Sequence, residues 1–229
     1  MVCKIITADK ANRLYWLGRY VERVYISLHL LRRYYDKVLD GDSLALSEYY
    51  HCLSLSGAEN DGFDLSQLYD RDNLYSIASS LSCANDNGIV LRQDITSESL
   101  SYLQMSASIL GECSSRGEKN ITLLQPVTDY MLAFFGSIDE RVFDDRIRNI
   151  LKIGKLIENL DLHIRFNYQY YRIEEVFMSL KQYCVRESAI IDSVSISRLE
   201  ELINEDSYNN QQAGYKDNVL GYLNFLIKV

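Results

Sequence analysis

The amino-acid sequence predicts an all-α protein, a helical bundle with two long central helices in two weakly repeated halves. The 229-residue chain has one proline and eleven glycines, too few for the turn about every 10 residues that a strand-rich fold requires. Apolar residues recur at 3-4 spacing over four heptads near the amino terminus, as along a bundle helix. A second segment of the same pattern follows 136 residues later, so each half is expected to contain one long helix.

The first long helix is predicted over residues 7–40, with Thr7 and Asp9 as N-cap candidates and Gly41 at the C′ position. Its other faces are apolar as well, which is typical of a helix packed on several sides. The 3-4 seam contains Leu14, Leu17, Val21, Val24, Leu28, Leu31, Tyr35 and Val38, and the other faces carry Trp16, Tyr20, Ile26, Leu30 and Tyr34.

The remaining helices are shorter and are separated by breaks at Gly57–Gly62, Ala84–Gly88 and Ser114–Asn120. Thr96 is placed to cap one of them, and Pro126 fits the first turn of another. Helices are predicted near 43–54, 72–83, 96–113, 126–136, 139–171, 173–187 and 195–204, before a polar stretch, Asn204–Asn218, and a short terminal helix. The second long helix is the one at 139–171, and residues 1–229 are treated as one domain.

Composition excludes several classes of protein. The formal net charge is −8, which argues against nucleic-acid binding through phosphate neutralisation. The amino terminus lacks a signal-peptide core and no apolar stretch is long enough to cross a membrane, so a cytoplasmic protein is expected. Five cysteines without paired spacing indicate neither a disulfide framework nor a zinc site. We therefore expect no metal and no cofactor.

Two segments share the pattern apolar-Gly-basic-x-apolar-Glu, which we call the first motif copy (17–24) and the second motif copy (153–160). Gly18 lies one turn before Glu22, and Gly154 lies one turn before Glu158. A glycine inside a helix costs about 1 kcal/mol relative to alanine but lets another backbone approach closely. Both glutamates are therefore expected beside a helix contact, where a buried charge requires a partner.

Residues Asn12–Arg23, which include an uncommon Tyr-Trp pair, resemble the opening of the alpha-E domain family, named for a Glu-Arg motif. Gly154–Asp161 resembles the second copy of that motif, and Arg92 with Ile95–Glu98 resembles a middle motif. This chain has Asn159 where the family usually has arginine, and Leu100 and Arg148 where tryptophans are common. The resemblance implies an all-helical bacterial protein of a peptide-modifying system, encoded beside or fused to ATP-grasp amide ligases and transglutaminase-like proteins.

The charged residues of these motifs are the candidate site. They form a buried ion-pair network joining the two halves, a ligand site built from Glu22, Arg23 and Glu158, or solvated surface charge. The full set is Arg19, Glu22, Arg23, Arg92, Glu98, Lys155, Glu158 and Asp161. Charge is also uneven along the chain, with a net +5 over residues 1–37 and −9 over residues 40–98. This pattern is usual for packed segments of complementary charge, and it also fits an acidic partner or an anionic ligand on the basic helix.

Three functions follow from these observations. The leading interpretation is a non-catalytic helical partner or substrate-presenting module, whose partner is an ATP-grasp ligase or a transglutaminase-like protein. The second is an enzyme that acts on an amine or carboxylate substrate through Glu22, Arg23 and Glu158. The third is a structural homo-oligomer. A closed, fully paired cluster favours the module, and an open pocket beside Glu22 favours the enzyme.

Overall fold

A computed structural model describes residues 6–53, 55 and 65–228, and the described residues form an all-α fold. Pairing of β type within them is confined to an isolated bridge between Ile191 and Ile227. None of the described helices combines the length and apolar content needed to cross a membrane. The α-helices are α1 (Ala8–Leu39), α2 (Ala45–Cys52), α3 (Ser66–Tyr69), α4 (Ile77–Val90), α5 (Arg92–Ile95), α6 (Ser97–Ser115), α7 (Gln125–Arg141), α8 (Asp145–Arg165), α9 (Tyr170–Arg186), α10 (Ser193–Leu202), α11 (Glu205–Asn210) and α12 (Tyr215–Asn224).

Helix α1 has the bounds that the sequence predicts to within one residue. Thr7 caps it, since its Oγ1 accepts a hydrogen bond from the Lys10 N–H at 3.3 Å. Asp9 lies inside the first turn, where it pairs with Arg13 at 3.1 Å. Gly41 ends the helix with φ +99°, and the N–H groups of Gly41 and Asp42 bond back to Val38 and Lys37, which is a Schellman motif.

Helix α4 corrects the predicted helix at 72–83 and the predicted break at Ala84–Gly88. The side chains of Asp70 and Asn73 accept hydrogen bonds from backbone N–H groups two residues on, which holds this stretch in turns. Ser76 then caps α4. The helix continues through Gly88 to Val90. A Cβ on Gly88 would lie 3.0 Å from a methyl group of Leu100, so this glycine packs closely on α6 and does not mark a turn.

The second long helix is shorter than the predicted range 139–171. Val142 is extended and Asp144 caps α8 through the Arg146 N–H, so residues 139–141 belong to α7. At the other end Asn167 has φ +51°, and the Tyr168 N–H bonds back to the His163 carbonyl at 3.0 Å. A left-handed asparagine is a regular alternative to glycine at this position, and the periodicity of the sequence continues across it.

The other predicted helices are present with shifted ends, and the polar stretch Asn204–Asn218 contains the short helix α11, capped by Asn204. The predicted helix at 43–54 corresponds to α2. The predicted break at Gly57–Gly62 and Cys3 lie outside the described residues. Cys113 and Cys184 are buried, and Cys52 and Cys83 are half-buried.

The described residues divide into two compact units. The first joins the chain up to Arg19 to the chain from Asp144 onward, and the second is Tyr20–Phe143. In the first unit α8 packs against α9 and α12, and its core includes Leu160, Leu180 and Leu223. In the second unit α6 packs between α4 and α7. The assignment of residues 1–229 to one domain stays a prediction.

His163, near the end of α8, makes the first unit sensitive to acid. Burial and the nearby Arg172 lower the pKa of His163 from 6.5 to about 4. As the pH falls, His163 therefore binds a proton in the unfolded chain before it does so in the folded chain. The contribution of neutral His163 to the free energy of unfolding is complete above pH 6.5 and is lost as the pH falls toward 4. The loss is expected to be about 2–3 kcal/mol.

The measurement is chemical unfolding of wild type and His163→Phe between pH 4 and 7. The phenyl ring can stack on Tyr168 as the imidazole does, at a centroid distance of 4.1 Å, but it binds no proton. The difference in free energy of unfolding between the two proteins should change over this range. A constant difference would contradict the assignment of this titration to His163.

Candidate functional site

The two motif copies meet where the amino-terminal part of α1 crosses α8 in the first unit. A Cβ on Gly18 would overlap the carbonyl oxygen of Leu151, and a Cβ on Gly154 would overlap the carbonyl oxygen of Tyr15. The contacts are reciprocal, since each glycine lies against the same positions of the other copy. Gly18 also lies against Lys155, and Gly154 against Arg19. Glycine is required at both positions because the two backbones touch.

Arg19 lies beside this crossing and bridges the two copies. Its Nε donates to Glu158 Oε2 at 2.7 Å, and its Nη2 lies 3.7 Å from Asp161 Oδ2. The side chains of Arg19, Glu158 and Asp161 are only 3 %, 1 % and 6 % exposed. A charge-assisted hydrogen bond of this length is strong, and its low exposure keeps water and salt away from it.

The Nη1 group and the planar face of Arg19 are also engaged. Its Nη1 donates to the Tyr15 hydroxyl at 3.1 Å and to Asn224 Oδ1 at 3.0 Å. The guanidinium carbon lies 5.0 Å from the centroid of the Trp16 ring, within the range of a cation–π contact. Three helices of the first unit, α1, α8 and α12, therefore supply ligands to one guanidinium.

Asp161 has a second cation. Its Oδ1 accepts from Arg165 Nε at 2.5 Å, and Arg165 is 26 % exposed. The four charged side chains thus comprise two cations and two carboxylates. We call Arg19, Glu158, Asp161 and Arg165 the buried charge cluster.

Burial and ion pairing shift the pKa values of these groups in opposite directions. Burial raises the pKa of Asp161, as does the neighbouring Glu158 carboxylate, while Arg165 and Arg19 lower it. Burial disfavours the Arg19 charge, but Glu158, Tyr15 and Asp161 together outweigh burial, and the pKa of Arg19 is raised. The guanidinium is therefore permanently charged. It depends on its carboxylates for compensation, because isolated charges are costly in the interior.

Only part of the predicted residue set lies in this cluster. Lys155 is half-buried on α8 in the first unit, whereas Glu22, Arg23, Arg92 and Glu98 belong to the second unit. Glu22 is 1 % exposed, and the Arg23 guanidinium lies 5.8 Å from the Tyr20 ring centroid. A ligand site built from Glu22, Arg23 and Glu158 stays a prediction.

The middle motif lies at the surface of the second unit. Arg92 is exposed and donates to the Ile89 carbonyl at 3.0 Å. Glu98 is exposed at the start of α6. Hydrogen bonds from its own backbone N–H and from Thr96 lower the pKa of Glu98. The contacts of Arg92 and of Glu98 are typical of charged side chains at helix ends.

The sequence did not identify Tyr15, Trp16, Arg165 and Asn224 as members of the cluster. Arg165 follows Asp161 by four residues, a spacing that places opposite charges side by side on a helix and was available as a signal. Tyr15 and Trp16 form the aromatic pair of the first motif. Asn224 contacts Arg19 across 205 residues of sequence, and no local pattern marks such a contact.

Among the residues that the structure describes, no three His, Cys, Asp or Glu side chains are grouped so that they could hold a metal ion. Searches of curated proteins and of solved structures gave no match. A family model does match over residues 8–198, and it is described as a predicted alpha-helical domain with a conserved ER motif. That range contains both motif copies, and the resemblance noted from the sequence is confirmed. The chain belongs to the Alpha-E domain family.

Proposed function

We propose that the chain is a non-catalytic helical partner or substrate-presenting module in a bacterial peptide-modifying system, with an ATP-grasp amide ligase as its partner. The observation that carries the non-catalytic part is the closure of the buried charge cluster. The partner class comes from the family resemblance, in which a transglutaminase-like protein is the second candidate.

A catalytic or binding group must reach its substrate. The Arg19 side chain is 3 % exposed, and its hydrogen bonds go to Glu158, Tyr15 and Asn224. Binding a substrate there would require breaking a buried ion pair, which typically costs about 3–5 kcal/mol. These motif residues therefore join helices, and contact with a partner belongs to the surface.

The surface of the second unit offers the electrostatic feature that a partner would use. Residues 40–98 carry eleven acidic and two basic side chains. Most of the described acidic residues of this segment are exposed, namely Asp40, Asp42, Glu48, Asp70, Asp72, Asp86 and Glu98. Such a surface attracts a basic partner surface and speeds association at low salt.

The proposal predicts a salt-sensitive complex between the chain and an ATP-grasp amide ligase. Titration calorimetry should detect binding at low salt and weaker binding at moderate salt. Moderate salt screens exposed charges that lie more than about 8–10 Å apart. Asp40→Asn with Asp86→Asn should weaken binding. Asp206→Asn with Asp217→Asn, the same loss of charge in the first unit, should leave binding unchanged.

Absence of binding at every salt concentration would overturn the partner proposal. Binding that does not respond to salt or to the acidic variants would remove the acidic surface as its basis. The enzyme alternative makes a different prediction, namely turnover of an amine or carboxylate substrate by the isolated chain. Loss of such turnover in a folded Glu158→Gln protein would replace the module with an enzyme.

A further inference from the structure

A groove in the first unit has the lining of a cation-binding site. It has a volume of about 740 Å³ and lies where the end of α8, the start of α9 and α11 come together. Four tyrosines line it, together with two carboxylates and four side-chain amides. They are Tyr168, Tyr170, Tyr171, Tyr208, Glu174, Glu205, Asn167, Gln169, Asn209 and Gln211.

The tyrosines lie at different depths in the groove. Tyr208 is buried and its hydroxyl donates to the Tyr168 carbonyl at 2.5 Å, which fixes the floor of the groove. The Tyr170 ring lies 6.0 Å from it, and Tyr171 is 56 % exposed. Tyr171 already receives a cation, since the Arg172 guanidinium carbon lies 5.4 Å from its centroid. Aromatic faces attract cations in this way.

Both carboxylates line the groove. Tyr170 OH donates to Glu174 Oε1 at 3.3 Å. Burial raises the pKa of the Tyr170 hydroxyl, and so do the Glu174 and Glu205 carboxylates. No lysine or arginine is among the described residues that line the groove. Arg172, whose guanidinium lies beside Tyr171, has its own carboxylate partner in Glu175 at 3.8 Å. The carboxylates therefore make the groove attractive to cations.

The amide side chains indicate what the cation is attached to. Each of the four provides a donor and an acceptor that match a peptide group. The groove is also larger than an ammonium group needs, since its volume is in the range of sites for drug-sized ligands.

We propose that this groove binds the ammonium group of a lysine side chain in a peptide, with the tyrosine faces and the two carboxylates around the charge. The inference rests on the lining of the groove alone and stands whether or not the chain has a ligase partner. Its test uses the isolated chain, so that its failure is separate from failure of the ligase proposal.

The experiment is ligand-observed NMR titration of the full chain with Nα-acetyl-lysine methylamide. The uncharged isostere Nα-acetyl-norleucine methylamide should bind much more weakly. Glu174→Gln with Glu205→Gln should weaken binding about tenfold, since each exposed ion pair contributes up to about fivefold. The control, Asp206→Asn with Asp217→Asn, removes the same charge outside the groove and should change affinity less than about twofold.

Tyr170 tests the aromatic part. Tyr170→Phe keeps the ring and should bind within about twofold of wild type, whereas Tyr170→Leu should bind about three- to fivefold more weakly. Circular dichroism confirms that each variant is folded before titration. Equal binding of the norleucine probe, or equal weakening by the control variant, would overturn the cation site. Tighter binding of spermidine or tetramethylammonium than of the lysine probe would overturn the peptide as its source.

Discussion

Replacing Gly154 with alanine is expected to lower the free energy of unfolding by about 3 kcal/mol, although alanine is the better helix former. The reason is the crossing of α1 and α8, where a Cβ on Gly154 would overlap the Tyr15 carbonyl oxygen and lie 3.1 Å from the Arg19 nitrogen. Both neighbours are backbone atoms, so no side-chain rotation can make room. The helices would have to separate, and the packing beside them would be lost.

Gly221 is the matched control within the same unit. It lies inside α12, and a Cβ added there would meet nothing within 4 Å. Gly221→Ala should therefore raise stability by about 0.5–1 kcal/mol, the gain in helix propensity. The same chemical change is thus expected to have opposite signs at two positions.

Thermal unfolding measures both effects. For a chain of this size, about 3 kcal/mol corresponds to a fall of roughly 6–12 °C in melting temperature. Gly18→Ala should behave like Gly154→Ala, and the double variant should cost less than the sum, because separated helices make room for both methyl groups. Similar melting temperatures for Gly154→Ala and Gly221→Ala would contradict the close crossing.

The glycine contact was predictable from the sequence because it depends on a repeated local pattern. Gly18 and Gly154 each precede a glutamate by one turn in segments that are otherwise helical. A glycine kept at equivalent positions of two helices, at a cost in helix propensity, indicates a close approach. The sequence did not indicate that the two glycines pack reciprocally at one crossing, because periodicity describes each helix by itself.

The helix ends show the same limit. Thr7 and Gly41 are standard capping residues, and α1 has the predicted ends. Helix α8 ends at Arg165, before a left-handed Asn167, although apolar residues continue at helical spacing on both sides. The sequence predicts a break that ends at Gly88, yet Gly88 is helical and packs closely against Leu100. In each wrong case a contact or a backbone angle outweighed the local pattern.

For the buried charge cluster, the sequence predicts that buried charges have partners, but it does not predict all the residues that form the contacts. The sequence indicated buried charges that need partners, and Arg19 does pair with Glu158 of the other copy at 2.7 Å. It did not indicate Asn224, which comes from the last described helix. Contacts over such separations depend on how the helices pack, which the sequence pattern of one helix does not encode.

Arg19→Met is expected to lower the free energy of unfolding by about 3–5 kcal/mol, the usual effect of leaving buried charges without a partner. Glu158 and Asp161, 1 % and 6 % exposed, would lose the cation that they share. Arg165 would still compensate Asp161 at 2.5 Å, so Glu158 is the carboxylate chiefly affected. The melting temperature should fall by roughly 6–20 °C.

The double variant Arg19→Met with Glu158→Met distinguishes two quantities. One is the net contribution of the ion pair, and the other is the cost of leaving one buried charge unpaired. Methionine fills most of the volume of each side chain, and apolar replacements of buried ion pairs are often neutral or stabilising. The double variant should therefore recover most of the about 3–5 kcal/mol that Arg19→Met alone loses. The exposed pair Arg198–Glu201, at 2.6 Å, is the control, and its replacement should change stability by no more than about 1 kcal/mol.

The measurement is denaturant unfolding of wild type, Arg19→Met, Glu158→Met and the double variant. Together the four proteins give the coupling energy directly. If the double variant regains the stability that each single variant loses, the coupling energy is large. The cluster would then serve to join α1 and α8. Single variants as stable as wild type would argue the reverse, since residues held for function are often neutral or stabilising when removed. In that case the closed cluster would no longer support a non-catalytic module, and the enzyme alternative would become the better explanation of these charges.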